Sequence, residues 1–171
     1  KGCSDCHMIL ILAEKPSLAR NITAAIGGMK KRDGYYEGAQ YIVTWAFGHL
    51  FSLADIEDYN PAPQECRHWT MDNLPCFPKK YKFVLRKGSD KQVDSGVARQ
   101  FETIKALCNR PDVDTIVNAG DADREGEIII RIIVDHAFAS KEERAGKSHK
   151  RLWLPDQTAE TINKALTEMK D

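Results

Sequence analysis

Residues 115–134 read TIVNAGDADREGEIIIRIIV, and this stretch decides the fold. Thr115 to Ala119 is a β-branched run that stops at Gly120, the pattern of a short buried strand. Glu125 to Phe138 then places apolar residues all along a helical segment. Between them lies Asp121-Ala122-Asp123-Arg124-Glu125-Gly126-Glu127, four carboxylates within seven residues. A strand that passes through a short polar turn into an amphipathic helix is half of a βαβ unit.

A second unit of this kind lies near the start. Met8 to Ala13 is continuously apolar, as expected of a strand covered on both faces. Glu14-Lys15-Pro16-Ser17 turns the chain, with Pro16 suited to a first helical turn. Leu18, Ala19, Ile22, Ala25 and Ile26 follow at helical spacing up to Gly27-Gly28. Tyr41 to Phe47 reads as the next strand, paired in a hairpin with the segment around Tyr35 and Tyr36. Residues 55–80, with Pro61, Pro63, Pro75 and Pro78, read as an irregular excursion, and Tyr81 to Leu85 as a short strand. Val93 to Cys108 is an amphipathic helix on Val97, Phe101, Ile104 and Leu107. Lys141 to Arg151 reads as an exposed connection, Arg151 to Leu154 as a strand and Thr158 to Met169 as a closing helix. The alternation predicts an α/β, Rossmann-like domain: a mostly parallel sheet flanked by helices, with an irregular and β insertion after the second strand. Ligands in such sheets bind at the carboxyl ends of the strands.

Composition narrows the function classes. The 171 residues suit one domain, expected over 8–171. Twenty-five Lys and Arg against 25 Asp and Glu exclude a polycation that coats nucleic acid by bulk charge, so phosphate contacts must come from local patches. Met8 to Ala13 is too short for a bilayer span or a signal-peptide core, which predicts a cytoplasmic protein without a membrane partner. Residues 1–7 show no periodicity and read as tag residues ahead of a native start at Met8. Cys3, Cys6 and His7 lack the second ligand pair that structural zinc needs. The five scattered cysteines do not suggest a disulfide framework. No phosphate-binding Gly-rich loop ending in Gly-Lys-Ser/Thr is present, so no ATP site is expected.

Crowded carboxylates repel unless a cation or a helix N-terminus offsets them. Mg²⁺ takes hard oxygen ligands, with one or two carboxylates and substrate phosphate in its usual set. Helix capping by Asp123 is the competing reading, although the reciprocal capping box is absent because Gly126 stands three residues on. If the strands at 8–13 and 115–119 are parallel neighbours, Glu14 emerges at the same edge as Asp121. A carboxylate among carboxylates suits acid–base work, and Lys15 suits a phosphate.

These residues carry a family resemblance. Ile9-Leu10-Ile11-Leu12-Ala13-Glu14-Lys15-Pro16-Ser17 resembles the first Toprim motif of type IA DNA topoisomerases, and Asp121 to Glu127 is similar to their D-x-D-R-E-G-E motif. Val43 to Leu50, ending Gly48-His49-Leu50, resembles a segment of the topoisomerase III branch, and Arg151-Leu152-Trp153 with Thr158 to Leu166 resembles the end of the same domain. The resemblance implies the Toprim fold, a Mg²⁺ cofactor with Mn²⁺ as substitute, and no ATP. It also implies single-stranded DNA as partner and further domains that bear the attacking tyrosine. Metal would fall to Asp121 and Asp123, with Glu14 and Glu125 as further ligands. Catalysis would rest on Glu14, Lys15 and Arg124, and DNA contact on Lys15, His49 and Arg124. None of Tyr35, Tyr36, Tyr41, Tyr59 or Tyr81 stands in the context of the family's active tyrosine, so the chain alone is expected not to cleave DNA.

Other features are weighed beside these. Lys79, Lys80, Lys82, Arg86, Lys87 and Lys91, with Phe77 or Tyr81, suit either contact with single-stranded DNA or a solvated loop. Trp45, Phe47 and Trp153 are expected in the core. A Toprim primase or small nuclease is the alternative enzyme, and an α/β module with an acidic pocket the non-enzymatic one.

Overall fold

The computed structural model describes residues 7–55, 58–59, 71, 77–89 and 92–170. The chain runs β1 (Met8–Ala13), α1 (Pro16–Ile26), β2 (Lys30–Lys31), β3 (Tyr35–Glu37) and β4 (Tyr41–Trp45). Then come β5 (Phe51–Leu53), β6 (Phe83–Leu85), α2 (Ser95–Cys108) and β7 (Val113–Ala119). It closes with α3 (Arg124–Ala137), α4 (Lys141–Ala145), β8 (Ser148–Arg151) and α5 (Ala159–Thr167).

Six strands form one sheet in the order β2-β3-β4-β1-β7-β8. The four strands β4, β1, β7 and β8 run parallel, and the β2-β3-β4 end is an antiparallel meander. Alternation along β1 sends Leu10 and Leu12 to one face and Ile11 and Ala13 to the other. The first face packs on α2 and α3 through Phe101, Ile104, Ile129 and Ile133. The second packs on α1 and α5 through Leu18, Ile22 and Ile162. Leu10, Ile11, Leu12 and Ala13 are fully buried, which is why the run carries no polar residue. The α/β class and the mostly parallel sheet flanked by helices are as the sequence predicts, and most of the expected irregular excursion at 55–80 lies outside the described residues.

Several local expectations need correction. The last strand is Ser148–Arg151, not 151–154. It is an edge strand, paired with β7 along one side, so Ser148-His149-Lys150-Arg151 needs no apolar run. Leu152 and Leu154 are buried just beyond it. The expected connection at 141–151 therefore holds a short helix, capped by Ser140, and that strand. Phe51–Leu53, absent from the sequence reading, pairs with Phe83–Leu85 as a separate two-stranded sheet. The helix at 93–108 starts at Ser95, because Asp94 caps it through the amides of Gly96 and Val97. Phe47 and Trp153 are 41% and 47% exposed rather than core residues. Trp45 is half-buried against Tyr36. Cys3, Cys6, Lys91, Pro61, Pro63 and Pro75 lie outside the described residues. Among the described residues no helix is long and apolar enough to cross a membrane.

Beside the amino end of β7, Arg110 binds Asp112 at 2.7 Å and Glu37 at 2.8 Å, tying the α2–β7 turn to β3. The guanidinium beside Asp112 holds that carboxyl below its usual 3.8. A depressed acid contributes stability above its unfolded value that disappears as pH falls through the folded one. We expect urea stability to drop as pH is lowered below about 4, and Arg110→Gln to flatten that dependence. An unchanged acid limb in the variant would remove Arg110 as its cause.

Candidate functional site

The register places Ala13 of β1 beside Ala119 of β7, and Trp45 of β4 on the other side of Ala13. Three strand ends therefore deliver Glu14, the Phe47–His49 turn and Asp121 to one rim. Glu14 is only 8% exposed, and its Oε2 accepts the Asp121 amide proton at 3.0 Å. Its carbonyl accepts from Gly48 N at 3.0 Å. Gly48 has φ +69°, a value that favours glycine, and it turns the chain toward His49. His49 Nε2 lies 3.0 Å from Glu125 Oε1.

Lys15 Nζ sits 2.9 Å from Asp121 Oδ2. That hydrogen bond raises the lysine pKa, as do the charges of Asp121, Glu14 and Asp123. Asp123 is the N-cap of α3, with Oδ1 accepting the Gly126 amide at 2.6 Å. The capping reading is thus correct for Asp123, and it leaves the second carboxylate oxygen uncommitted by that contact. Glu125 and Arg124 are exposed in the first turn of α3. Among the described residues no hydrogen bond or ion pair engages the Arg124 guanidinium.

Glu127 does not join the rim. Its carboxylate takes Arg151 Nε at 3.0 Å, Arg131 Nη2 at 3.2 Å and Asn118 Nδ2 at 3.0 Å. Arg151 also donates to the carbonyls of Asn118, Gly120, Leu152 and Asp121. Its side chain is 13% exposed, and burial pushes its pKa below the usual guanidinium value. The sequence reading passed over this arginine. The signal available was a cation in a short strand next to an acidic turn. It also passed over the glycines. A Cβ on Gly126 would lie 2.5 Å from Asp121 N, and one on Gly120 would lie 2.2 Å from Gly126 O. The acidic turn is folded back onto the helix start at a distance only glycine allows.

Glu14, Asp121 and Asp123 supply the hard oxygen donors that suit Mg²⁺. As arranged, no three or more His, Cys, Asp or Glu side chains among the described residues are disposed around one metal position. The Lys15 ammonium is the cation held at Asp121 instead.

Residues 9–153 match the Toprim domain. The chain belongs to the Toprim family. It is 41% identical over 162 residues to "DNA topoisomerase 3" of Staphylococcus epidermidis, covering 95% of this chain and 20% of that protein. It is 38% identical over 161 residues to proteins of the same name from Shouchella clausii and Bacillus thuringiensis, at 94% and 20% coverage. The chain thus spans about a fifth of the length of these relatives. In this Toprim domain the two acidic motifs meet through the Glu14 carboxylate and the Asp121 amide. The basic excursion is partly occupied with its own packing: Lys87 pairs with Asp58, and Lys82 lies over the Tyr59 ring. Phe77 and Tyr81 are exposed at 83% and 68%.

Proposed function

We propose that residues 8–171 are one Toprim domain of a type IA DNA topoisomerase, topoisomerase III-like, and form the acidic, Mg²⁺-binding side of its strand-cleavage and rejoining centre. The attacking tyrosine belongs to another part of that enzyme. The reading rests on one observation above all: a buried Glu14, a Lys15 ammonium and the Asp121 backbone interlock at neighbouring strand ends. Similarity to topoisomerase relatives favours this reaction over a primase or nuclease.

Asp121 and Asp123 would hold Mg²⁺ or Mn²⁺, with Glu14 behind them and Glu125 at the rim. When bound, the ion supplies positive charge for the non-bridging oxygens of a phosphodiester. Glu14 serves as the acid that protonates the leaving 3′ oxygen and as the base that takes the proton back on rejoining. Lys15 is a point charge for the phosphate at the break. Arg124, exposed on the first turn of α3, orients the single-stranded DNA or the incoming tyrosine, and His49 contacts the backbone from the end of β4 on the same rim. This reading needs no ATP, and it places the protein in the cytoplasm with its DNA.

Two measurements test it. Mg²⁺ or Mn²⁺ titration of the chain is expected to give saturable binding that Asp121→Asn and Asp123→Asn each weaken roughly tenfold or more. Equal binding by both variants moves the metal elsewhere. On negatively supercoiled plasmid the purified chain is expected to show no relaxation, since it lacks the nucleophile. Robust Mg²⁺-dependent relaxation would overturn the assignment of the tyrosine to another domain.

A further inference from the structure

The β5–β6 ribbon leaves the acidic rim next to the Gly48-His49 turn. Leu50 follows His49 directly, and its carbonyl accepts the Arg86 amide at 2.8 Å. Phe51 then faces Leu85 and Leu53 faces Phe83, so the ribbon leads outward from Arg86 toward Tyr81. An extended run of that length spans about 17 Å. At the outer end Lys82 is pinned twice: its carbonyl accepts from Ala54 N at 2.8 Å, and its amide donates to the Tyr59 hydroxyl at 2.6 Å. Beyond that anchor the Phe77 and Tyr81 side chains stand largely in solvent, and Leu53 is exposed opposite Phe83. Residues 77–89 hold five cations and no acid. Two of the five are committed: Lys87 lies 3.6 Å from Asp58, and Lys82 lies over the Tyr59 ring and donates to the Asp58 carbonyl. Lys79, Lys80 and Arg86 are not, since among the described residues no hydrogen bond or ion pair engages their side chains. Strand alternation turns Arg86, with Val84 and Ser52, away from the Phe83 and Leu85 side that packs on the core.

A loop that only has to meet water gains nothing from two aromatic side chains held open to it, because exposed apolar area is a cost that charge alone avoids. Aromatic rings with free cations between and beside them match single-stranded nucleic acid. Bases stack on aromatic faces whatever their sequence, and ammonium and guanidinium groups take the phosphates. A run of cations without an acid selects a polyanion over a neutral apolar partner. We propose that Phe77, Lys79, Lys80 and Tyr81, with Arg86 nearer the rim, form a track for single-stranded DNA that leads from the strand ends out along the β5–β6 ribbon. The ligand class rests on the strand-cleavage reading above, whereas the place of the track rests on the ribbon itself. The track holds a few nucleotides on one side of the break and so fixes the direction in which the strand crosses Glu14 and Lys15.

The test is fluorescence anisotropy of a labelled oligothymidylate titrated with the chain in EDTA, so that metal plays no part. Saturable binding that weakens as salt rises is expected. The doubly substituted Phe77→Ala, Tyr81→Ala chain should bind roughly tenfold or more weakly, since a single base–aromatic stack contributes on that order. Tyr81→Phe alone keeps the ring and should bind as the parent chain does. Lys79→Gln with Lys80→Gln should weaken binding and flatten its salt dependence. Lys30→Gln with Lys31→Gln removes as much charge on the edge strand β2 and should bind as the parent does. Absence of saturable binding, parental affinity in the aromatic double, or equal weakening in both lysine doubles would overturn the track. So would sedimentation in which the parent chain pairs with itself and the aromatic double does not, since the rings would then be covered by a second copy. Mg²⁺ titration separates this proposal from the reading beneath it. Oligothymidylate held through Phe77 and Tyr81 by a chain that binds no metal would keep the track and overturn the cleavage reading. Saturable metal binding with parental oligothymidylate affinity in the aromatic double would do the reverse. Circular dichroism of each variant guards against loss of fold.

Discussion

Gly126→Ala is expected to cost about 3 kcal/mol or more and to disorder the acidic turn. The added methyl would run into the Asp121 backbone: 2.5 Å from Asp121 N, 2.6 Å from Asp121 O and 3.0 Å from Asp121 Cα. None of these is the tip of a flexible side chain. Relief requires the turn to lift off the first turn of α3. That movement breaks the hydrogen bond that the Asp121 amide donates to the Glu14 carboxylate and strains the Asp123 cap, whose carboxylate accepts from the Gly126 amide itself. Gly120→Ala meets the same interface from the other side, 2.2 Å from Gly126 O. Both should lower the urea midpoint strongly, whereas Gly96→Ala should change little. At Gly96 the closest atom is an Asp94 carboxylate oxygen 3.2 Å away, at the end of a side chain. A Gly126→Ala chain of parental stability would show that the turn does not press on the helix as described.

The same glycine marks where sequence reading stops. That β1 and β7 are two strands of one parallel-type sheet was legible because two apolar runs each ended in charge at a helix start, while their being neighbours stood as a condition that the structure meets. Pattern and period sufficed there. The meeting of Glu14 with Asp121 follows from that pairing, and the structure joins them through a backbone amide. Gly126 signalled only that a capping box was missing, since a requirement for close approach depends on what lies opposite. Strand β8 was hidden for a different reason. Ser148-His149-Lys150-Arg151 carries no apolar alternation, because an edge strand needs pairing on one side and not two buried faces. Trp153 misled by its hydrophobicity. It lies 5.3 Å from the Arg151 guanidinium to its ring and covers that cation while remaining partly open to solvent.

Arg151 is the residue on which the second large effect is expected. Its guanidinium joins the Glu127 carboxylate to four backbone carbonyls, those of Asn118 in β7, Gly120 and Asp121 in the β7–α3 turn, and Leu152 just beyond β8. Replacing it with Met keeps much of the stem but leaves that carboxylate and those carbonyls without their donor. Breaking a largely buried pair from one side costs about 3–5 kcal/mol. Glu127 is 34% exposed and keeps Arg131, so the lower end of that range is expected here. Arg151→Lys retains the charge but not the fork, since one ammonium cannot reach a carboxylate and several carbonyls in different directions at once. It should lose less stability than the Met variant yet still free the turn. Amide hydrogen exchange at 118–122 separates the two roles. Faster exchange there in Arg151→Lys, with protection in α1 and α2 retained, is the expected result and marks Arg151 as the residue that positions Asp121. If protection falls evenly across the sheet, Arg151 acts only as part of the core and the acidic turn holds its own shape.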